Sequence, residues 1–142
     1  MKILFLDFDG VLHPTGSASV KFSQLPMLEA FLREPPAQNI RIVVSSTWRD
    51  AYSLNALRRF FSADIAPRIV GCTTTLEEYD SDYERGEEIE AWLAEHASSA
   101  EWIALDDHSQ GFSPRLRSRV LITESSTGLT DESIVRLREL AS

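Results

Sequence analysis

The chain has 142 residues, 43% of them hydrophobic, which is enough for one hydrophobic core and too little for two ordinary domains, so we expect a single domain over residues 1–142. A formal net charge of −8 argues against nonspecific binding to nucleic acid or to an anionic membrane. The single cysteine, Cys72, excludes an intramolecular disulfide, and no apolar run is long enough for a secretion signal or a membrane span, so we expect a cytoplasmic protein.

The apolar pattern predicts strands that alternate with helices along the whole chain. Apolar runs of strand length occur at Lys2–Leu6, Ile40–Ser45, Arg68–Cys72, Trp102–Leu105 and Val120–Ile122. Helical periodicity lies between and after them, at Leu25 to Leu32, Leu54 to Phe61, Ile89 to Leu93 and Ile134 to Leu140. This alternation predicts a Rossmann-like, doubly wound α/β fold, with a mostly parallel five-stranded sheet and helices on both faces.

The positions of helix caps and loops can also be predicted from the sequence. Ser23 and Thr130 occupy positions typical of helix N-caps. Polar residues predict three exposed loops, at His13–Ser19, Thr73–Asp82 and His108–Pro114. The first of these loops follows the first strand closely, so we expect it to be able to cover the carboxylates there.

Two of those carboxylates, Asp7 and Asp9, follow the first apolar strand and are one residue apart. In an extended chain residues i and i+2 share a face, so both side chains can converge on one point while Phe8 turns to the core. Gly10 then permits a tight turn and a close approach of backbone to ligand. The carboxyl end of a strand is where open α/β sheets bind their ligands.

Other strand ends are also polar. The second long strand ends in Ser45-Ser46-Thr47-Trp48-Arg49 and the fourth in Asp106-Asp107-His108. In a parallel sheet these ends lie on the same edge as Asp7 and Asp9. Four acids near one another need a neutralising cation, and Mg²⁺ prefers oxygen ligands. The sequence therefore predicts a Mg²⁺ site at this edge.

Taken in order, these motifs resemble the haloacid dehalogenase superfamily of aspartate-nucleophile phosphotransferases. The resemblance is carried by DFDGVL at Asp7–Leu12, the hydroxyl-ended strand at Ser45-Ser46, Arg85 at the start of a helix and the strand ending in Asp106-Asp107. More narrowly, SSTWR, RGEEIEAWL, LDD and TGLT at Ser45–Arg49, Arg85–Leu93, Leu105–Asp107 and Thr127–Thr130 resemble the small domain of this type associated with bacterial multi-enzyme RNA-repair proteins. The segments that hold a cap domain in many superfamily members are too short for one here, so we expect an open site.

The resemblance implies a role for each matching residue. Asp7 would attack phosphorus to form an aspartyl-phosphate, and Asp9, with a raised pKa, would first protonate the leaving oxygen and later deprotonate water. Ser46, or Ser45 in its place, would hydrogen-bond a phosphoryl oxygen, and Arg85 would stabilise its charge. The Mg²⁺ shell would comprise Asp7, the backbone carbonyl of Asp9, and the pair Asp106 and Asp107, either of which could be the direct ligand.

The same resemblance implies a phosphorylated substrate, and the open site suits a nucleic-acid end that carries a terminal phosphate, or a nucleotide. We expect substrate contacts from residues at the presumed mouth, namely Gly10, His13, Ser45, Thr47, Trp48 and Arg49, with Trp48 stacking on a base and Arg49 pairing with a second phosphate. Three alternatives remain: a phosphatase for small phosphate esters, a receiver-like phosphoacceptor, and a regulatory domain that retains the fold and the metal without turnover.

Overall fold

A computed structural model describes residues 2–16 and 18–142. The strands are β1 (Lys2–Leu6), β2 (Ile40–Val44), β3 (Ile69–Cys72), β4 (Glu101–Asp106) and β5 (Val120–Ile122). The helices are α1 (Leu25–Leu32), α2 (Leu54–Arg58), α3 (Glu84–His96) and α4 (Asp131–Ala141), with short 3₁₀ turns at Pro35–Ala37, Thr47–Asp50, Ala66–Arg68, Ser109–Gly111 and Pro114–Arg119. The predicted alternation of strands and helices is confirmed.

All five strands are parallel, in the order β3-β2-β1-β4-β5. The first strand is therefore central and is hydrogen-bonded to β2 on one side and β4 on the other. Strands buried on both faces consist of almost continuous apolar residues, which explains why apolar runs in the sequence predict them. The β1 side chains at Ile3 to Leu6 are at most 1% exposed.

Helices cover both faces of the sheet. Helices α1, α2 and α4 pack on one face around Leu4, Leu6 and the even-numbered positions of β2. Helix α3 packs on the other face, against Ile3, Phe5 and Val43. Each fully buried side chain of this size contributes about 1.5–3 kcal/mol to folding. The two buried faces therefore stabilise the sheet whose carboxyl edge holds the polar residues. No cap domain is present in the described parts of the chain.

Several predicted boundaries were wrong. Strand β2 ends at Val44, so Ser45 lies just beyond it, and Arg68 belongs to the turn before β3. Helix α2 ends at Arg58 and leaves Phe61 in the following turn, where it is still buried. Ser23 does not cap α1, because Gln24 occupies the N-cap position and makes no side-chain cap bond.

The loops are less exposed than expected, because backbone turns draw parts of them into the core. His13 and Thr73 are buried at the start of the first two loops, and Gly111 and Phe112 are buried within the third. Ser17, in the first loop, lies outside the described residues. Among the described residues, no helix combines the length and the apolar character that crossing a membrane requires.

Candidate active site

Three carboxylates meet at the carboxyl edge of the sheet. Asp7 follows β1, Asp106 is the last residue of β4, and Asp107 follows it. One carboxylate oxygen from each lies within 4.8 Å of the others. The parallel register explains the meeting, since Leu6 pairs with Leu105 and the Asp7 N–H donates to the Leu105 carbonyl at 3.0 Å. The predicted convergence of acids from distant strands is therefore present for these three residues.

The cluster carries an electrostatic cost that a cation would relieve. Burial, together with the neighbouring Asp106 carboxylate, raises the pKa of Asp7 to about 8. Burial also raises the pKa of Asp106, against the opposing effect of the Arg85 guanidinium. The Asp106 Oδ2 atom is buried and accepts no aligned hydrogen bond from the described residues, although Arg85 Nε lies 3.1 Å away. Three crowded carboxylates and an unsatisfied oxygen fit a hard divalent cation such as Mg²⁺.

Gly10 shapes the same cluster by lacking a side chain. Its φ of +76° is a conformation that residues with a Cβ rarely adopt, and a Cβ at this position would lie 2.1 Å from Asp107 Oδ2. The Gly10 carbonyl accepts a 2.6 Å hydrogen bond from the Thr123 hydroxyl, which follows β5. The turn after β1 is thus held against β5 so that Asp107 can approach it.

The Asp9 carboxylate does not join this cluster. His13 Nε2 lies 2.7 Å from Asp9 Oδ1, and the Trp48 indole N–H donates to Asp9 Oδ2 at 3.0 Å. Burial acts to raise the pKa of Asp9, but these two hydrogen bonds, with the positive charge of Lys21, outweigh it, and the pKa falls below its ordinary value. The prediction of a raised pKa is therefore wrong for this structure, because sequence spacing does not reveal which donors the side chain meets. The metal contact assigned to the Asp9 backbone carbonyl stays a prediction.

His13 is the main partner of Asp9, and its side chain is fully buried. The backbone N–H of Phe22 donates to His13 Nδ1 at 3.2 Å, so the proton of a neutral imidazole lies on Nε2 and is donated to Asp9. The expectation that His13 borders the site mouth and contacts substrate is not supported, because the ring faces the protein interior. Sequence reasoning also missed Phe22, whose φ of +61° turns its N–H towards this ring.

The two serines after β2 have different surroundings. The Ser45 N–H continues the sheet by donating to the Leu6 carbonyl at 2.9 Å, which places this residue beside Asp7. Side chains alternate between the two faces of a strand, so Ser45 lies on the same face as Val43, and Asp7 on the same face as Phe5. Both Val43 and Phe5 lie on the face of the sheet that α3 covers. The Ser46 hydroxyl accepts from the Trp48 N–H at 3.2 Å and caps the turn Thr47–Asp50. This geometry favours Ser45 over Ser46 as the neighbour of Asp7.

Arg85 lies in the first turn of α3, and its Nε faces Asp106. It also lines a cavity of about 410 Å³ that is bordered by Thr47, Arg49 and His108. A cation in the first turn opposes the helix dipole, and the Asp106 carboxylate, 3.1 Å from the Arg85 Nε, supplies an attraction that offsets this effect. Arg85 therefore lies against the acid cluster, and Thr47 shares a cavity with it, while the substrate contact of Thr47 stays a prediction.

Arg49 has a side chain that is only 6% exposed. Its Nη2 donates to Glu88 Oε1 at 3.1 Å, while Nη1 donates to the Ser45 carbonyl and to Thr73 Oγ1. Its charge is therefore already paired with Glu88 of α3, and a contact with a second phosphate would require this pair to open. Glu88 was missed by the sequence analysis, although an acid on the apolar side of a helix is a signal of a buried partner.

This architecture, with clustered carboxylates at the end of a central first strand, places the molecule in the class of haloacid dehalogenase-like α/β domains. Residues 3–134 match the model of a family described as the HAD domain in Swiss Army Knife RNA repair proteins, and the chain belongs to that family. The resemblance stated from the motifs is thereby confirmed. No curated protein and no solved structure matches the chain. Membership of the family supports phosphohydrolase chemistry of the haloacid dehalogenase type in general.

Proposed function

We propose that the protein is a Mg²⁺-dependent phosphohydrolase that forms an aspartyl-phosphate and acts on the phosphorylated end of a nucleic acid. The observation that carries the proposal is the cluster of Asp7, Asp106 and Asp107 at the carboxyl edge of the sheet, with Arg85 against it. Mg²⁺, when bound by these carboxylates, would neutralise part of the charge of the phosphoryl group.

In the first step an Asp7 oxygen attacks phosphorus, and the bond from phosphorus to the leaving oxygen breaks. Arg85 stabilises the phosphoryl oxygens, and the hydroxyl of Ser45 donates to one of them. The leaving oxygen takes a proton from Asp9. An anionic phosphoryl group beside Asp9 opposes the effect of His13 and Trp48 and favours the protonated carboxyl that this step needs.

In the second step water attacks phosphorus and Asp9 takes its proton, while the bond between Asp7 and phosphorus breaks to release phosphate. The hydrogen bonds from His13 and Trp48 hold Asp9 as a carboxylate, which is the form that a general base requires. The Asp9 side chain is 46% exposed, so water has access to it.

A nucleic-acid end is the proposed substrate for two reasons. The described chain has no cap domain to enclose the site, which suits a phosphate at the end of a polymer. The family to which the chain belongs is described as part of RNA repair proteins. The net charge of −8 favours the alternative, a small phosphate ester, because it repels a polyanion at long range.

A substrate panel tests the proposal. Single-stranded oligonucleotides with a 3′- or 5′-phosphate, nucleoside monophosphates and small phosphate esters would be assayed for phosphate release with Mg²⁺ and with a chelator. We expect release from an oligonucleotide end that needs Mg²⁺ and is abolished by Asp7→Asn, whereas Asp131→Asn, at an exposed position in α4, retains it. Good turnover of small esters beside none of the oligonucleotides would overturn the substrate assignment. A stable acyl phosphate without release would indicate a phosphoacceptor domain, and no Mg²⁺-dependent turnover of any substrate would indicate a regulatory domain.

A further inference from the structure

An unusual group of aromatic rings lies beside Asp9. We call Phe22, Trp48, Tyr52 and Phe60 the aromatic platform. Trp48 and Tyr52 are stacked at 5.4 Å with 20° between their planes, and Phe22 and Phe60 are stacked at 4.7 Å with 28°. The two stacks cross nearly at right angles, at 82° between Trp48 and Phe60. Such crossed arrangements are favourable for aromatic rings and make the assembly rigid.

The platform reaches both the core and the surface. Phe8, which is fully buried between Asp7 and Asp9, packs edge-on against Phe22 and Trp48. At the other end Tyr52 is 42% exposed. One side of the Tyr52 ring meets Trp48 and another meets Phe60, and no hydrogen bond to its hydroxyl is found in the described residues. Tyr52 is therefore the part of the platform that a ligand can reach from solvent.

The platform is also joined to the site itself. Trp48 presents its indole N–H to Asp9, so the ring is held next to the proposed acid and base. The exposed Lys21 places its Nζ 5.8 Å from the centre of the Trp48 ring, and its positive charge helps to lower the pKa of Asp9. An aromatic surface with a cation at its margin, beside a phosphate-binding edge, matches the parts of a nucleotide: base, linking phosphate and terminal phosphate.

We propose that the aromatic platform binds the nucleobase of the phosphate-bearing terminal nucleotide of a single-stranded nucleic acid, with the base stacked on Tyr52. The proposal rests on the proposed function, because it places the terminal phosphate at the acid cluster. Stacking on aromatic rings tolerates any base, since every base has a π-face. An unpaired end is required, because a base inside a duplex is already stacked on its neighbours.

Binding would be measured in the Asp7→Asn background, where substrate is not consumed. The probes are a labelled single-stranded RNA with a terminal phosphate, at the 3′ or 5′ end in separate arms, and the same RNA with an abasic terminal nucleotide. We expect the base-bearing probe to bind more tightly, by about tenfold for one stacked base, and Tyr52→Ala to abolish the difference. Tyr52→Phe retains the ring and should retain the difference. Val135→Ala, at an exposed apolar position of α4, is the control.

Two results would overturn the role of the aromatic platform in binding the base. One is a preference for the base-bearing probe that persists in Tyr52→Ala. The other is a wild-type protein that self-associates in sedimentation through Tyr52 and shows no base preference, which would make the platform a contact between copies of the chain. A nucleoside monophosphate, as a third probe, distinguishes a free nucleotide from a polymer end: equal affinity for both would overturn the assignment to an end. Base-dependent binding without hydrolysis of any end by the protein with Asp7 intact would leave the platform supported and the proposed function refuted.

Discussion

At the scale of single residues, the candidate site depends on side chains that are held by specific neighbours. Asp9 is directed by His13 and Trp48, and Asp107 occupies space that only a glycine at position 10 leaves open. Thr123, which follows the edge strand β5, holds Gly10 in place by donating a hydrogen bond to its carbonyl. Gly10 and Thr123 act through geometry alone, so substitutions at these two positions test the site without removing a proposed reacting group.

Gly10→Ala is expected to abolish Mg²⁺-dependent phosphate release. The new Cβ would occupy the place of Asp107 Oδ2, and the positive φ would cost about 1–2 kcal/mol as well. Gly16→Ala is the matched control, because Gly16 also has a positive φ, at +121°, but the nearest atom to its Cβ is 3.9 Å away. Release would be assayed in parallel with urea unfolding. Equal activity of the two variants would contradict the role given to Gly10.

Thr123→Val is expected to lower the free energy of unfolding by about 1–3 kcal/mol, since the buried Gly10 carbonyl would lose its hydroxyl donor. Thr123→Ser keeps the donor and should lose less. Urea unfolding of the two variants measures the difference. If valine and serine were equally tolerated, the hydrogen bond would not be what holds the turn.

At the scale of elements, the ends of the helices and strands place the site. The TGLT motif is structural here: the Leu129 N–H donates to the Val11 carbonyl at 2.8 Å, which fastens the segment before α4 to the turn after β1. Gly128 has a φ of +70°, and a Cβ there would lie 2.8 Å from the same carbonyl. Helix α4 then begins at a capping box formed by Thr130 and Ser133.

Thr130→Ala is expected to destabilise the protein by about 1 kcal/mol, because the cap that satisfies the first N–H groups of α4 is lost. Ser23→Ala provides the comparison: Ser23 was predicted as a cap, but its side chain makes no such bond in the structure. Its loss should change stability by less than about 0.5 kcal/mol. Thermal unfolding of both variants gives the answer, and equal losses would mean that Ser23 stabilises α1 in a way that the structure does not explain.

At the scale of the whole molecule, the acid cluster opposes folding. Asp7 meets Asp106 and Asp107 only when β1 and β4 pair, whereas in the unfolded chain it is far from them. The native state therefore carries a repulsion that the unfolded state lacks. A ligand that binds only the native cluster stabilises the whole domain by mass action.

Mg²⁺ is accordingly expected to raise the melting temperature. The gain in the free energy of unfolding is about 2.7 kcal/mol when Mg²⁺ is at a hundred times its dissociation constant. Asp107→Asn should reduce the response, while Asp131→Asn should keep it, with the same ionic strength maintained by KCl. A melting temperature that ignores Mg²⁺, or that responds equally in Asp107→Asn, would contradict metal binding at this edge.

Much of the fold follows from local patterns. The strands are apolar on both faces and the helices have one apolar side, so their existence, their alternation and the parallel sheet were predictable from residue order. The boundaries of the elements were less predictable. The sequence pattern extends to Ser45, Arg68 and Phe61, which lie just outside the strand or helix. The local sequence pattern does not reveal the hydrogen bonds that determine where a strand or helix ends.

The sequence by itself determined that acids from β1 and β4 share one edge, because parallel strands bring their carboxyl ends together whatever lies between them. Only the tertiary structure decided that Asp9 faces His13 and Trp48, that Ser45 rather than Ser46 adjoins Asp7, and that the four rings of the platform assemble. These outcomes depend on side chains from separate segments meeting in space. Spacing along the chain determines which face of a strand a side chain lies on, whereas packing between segments determines which other side chain it contacts.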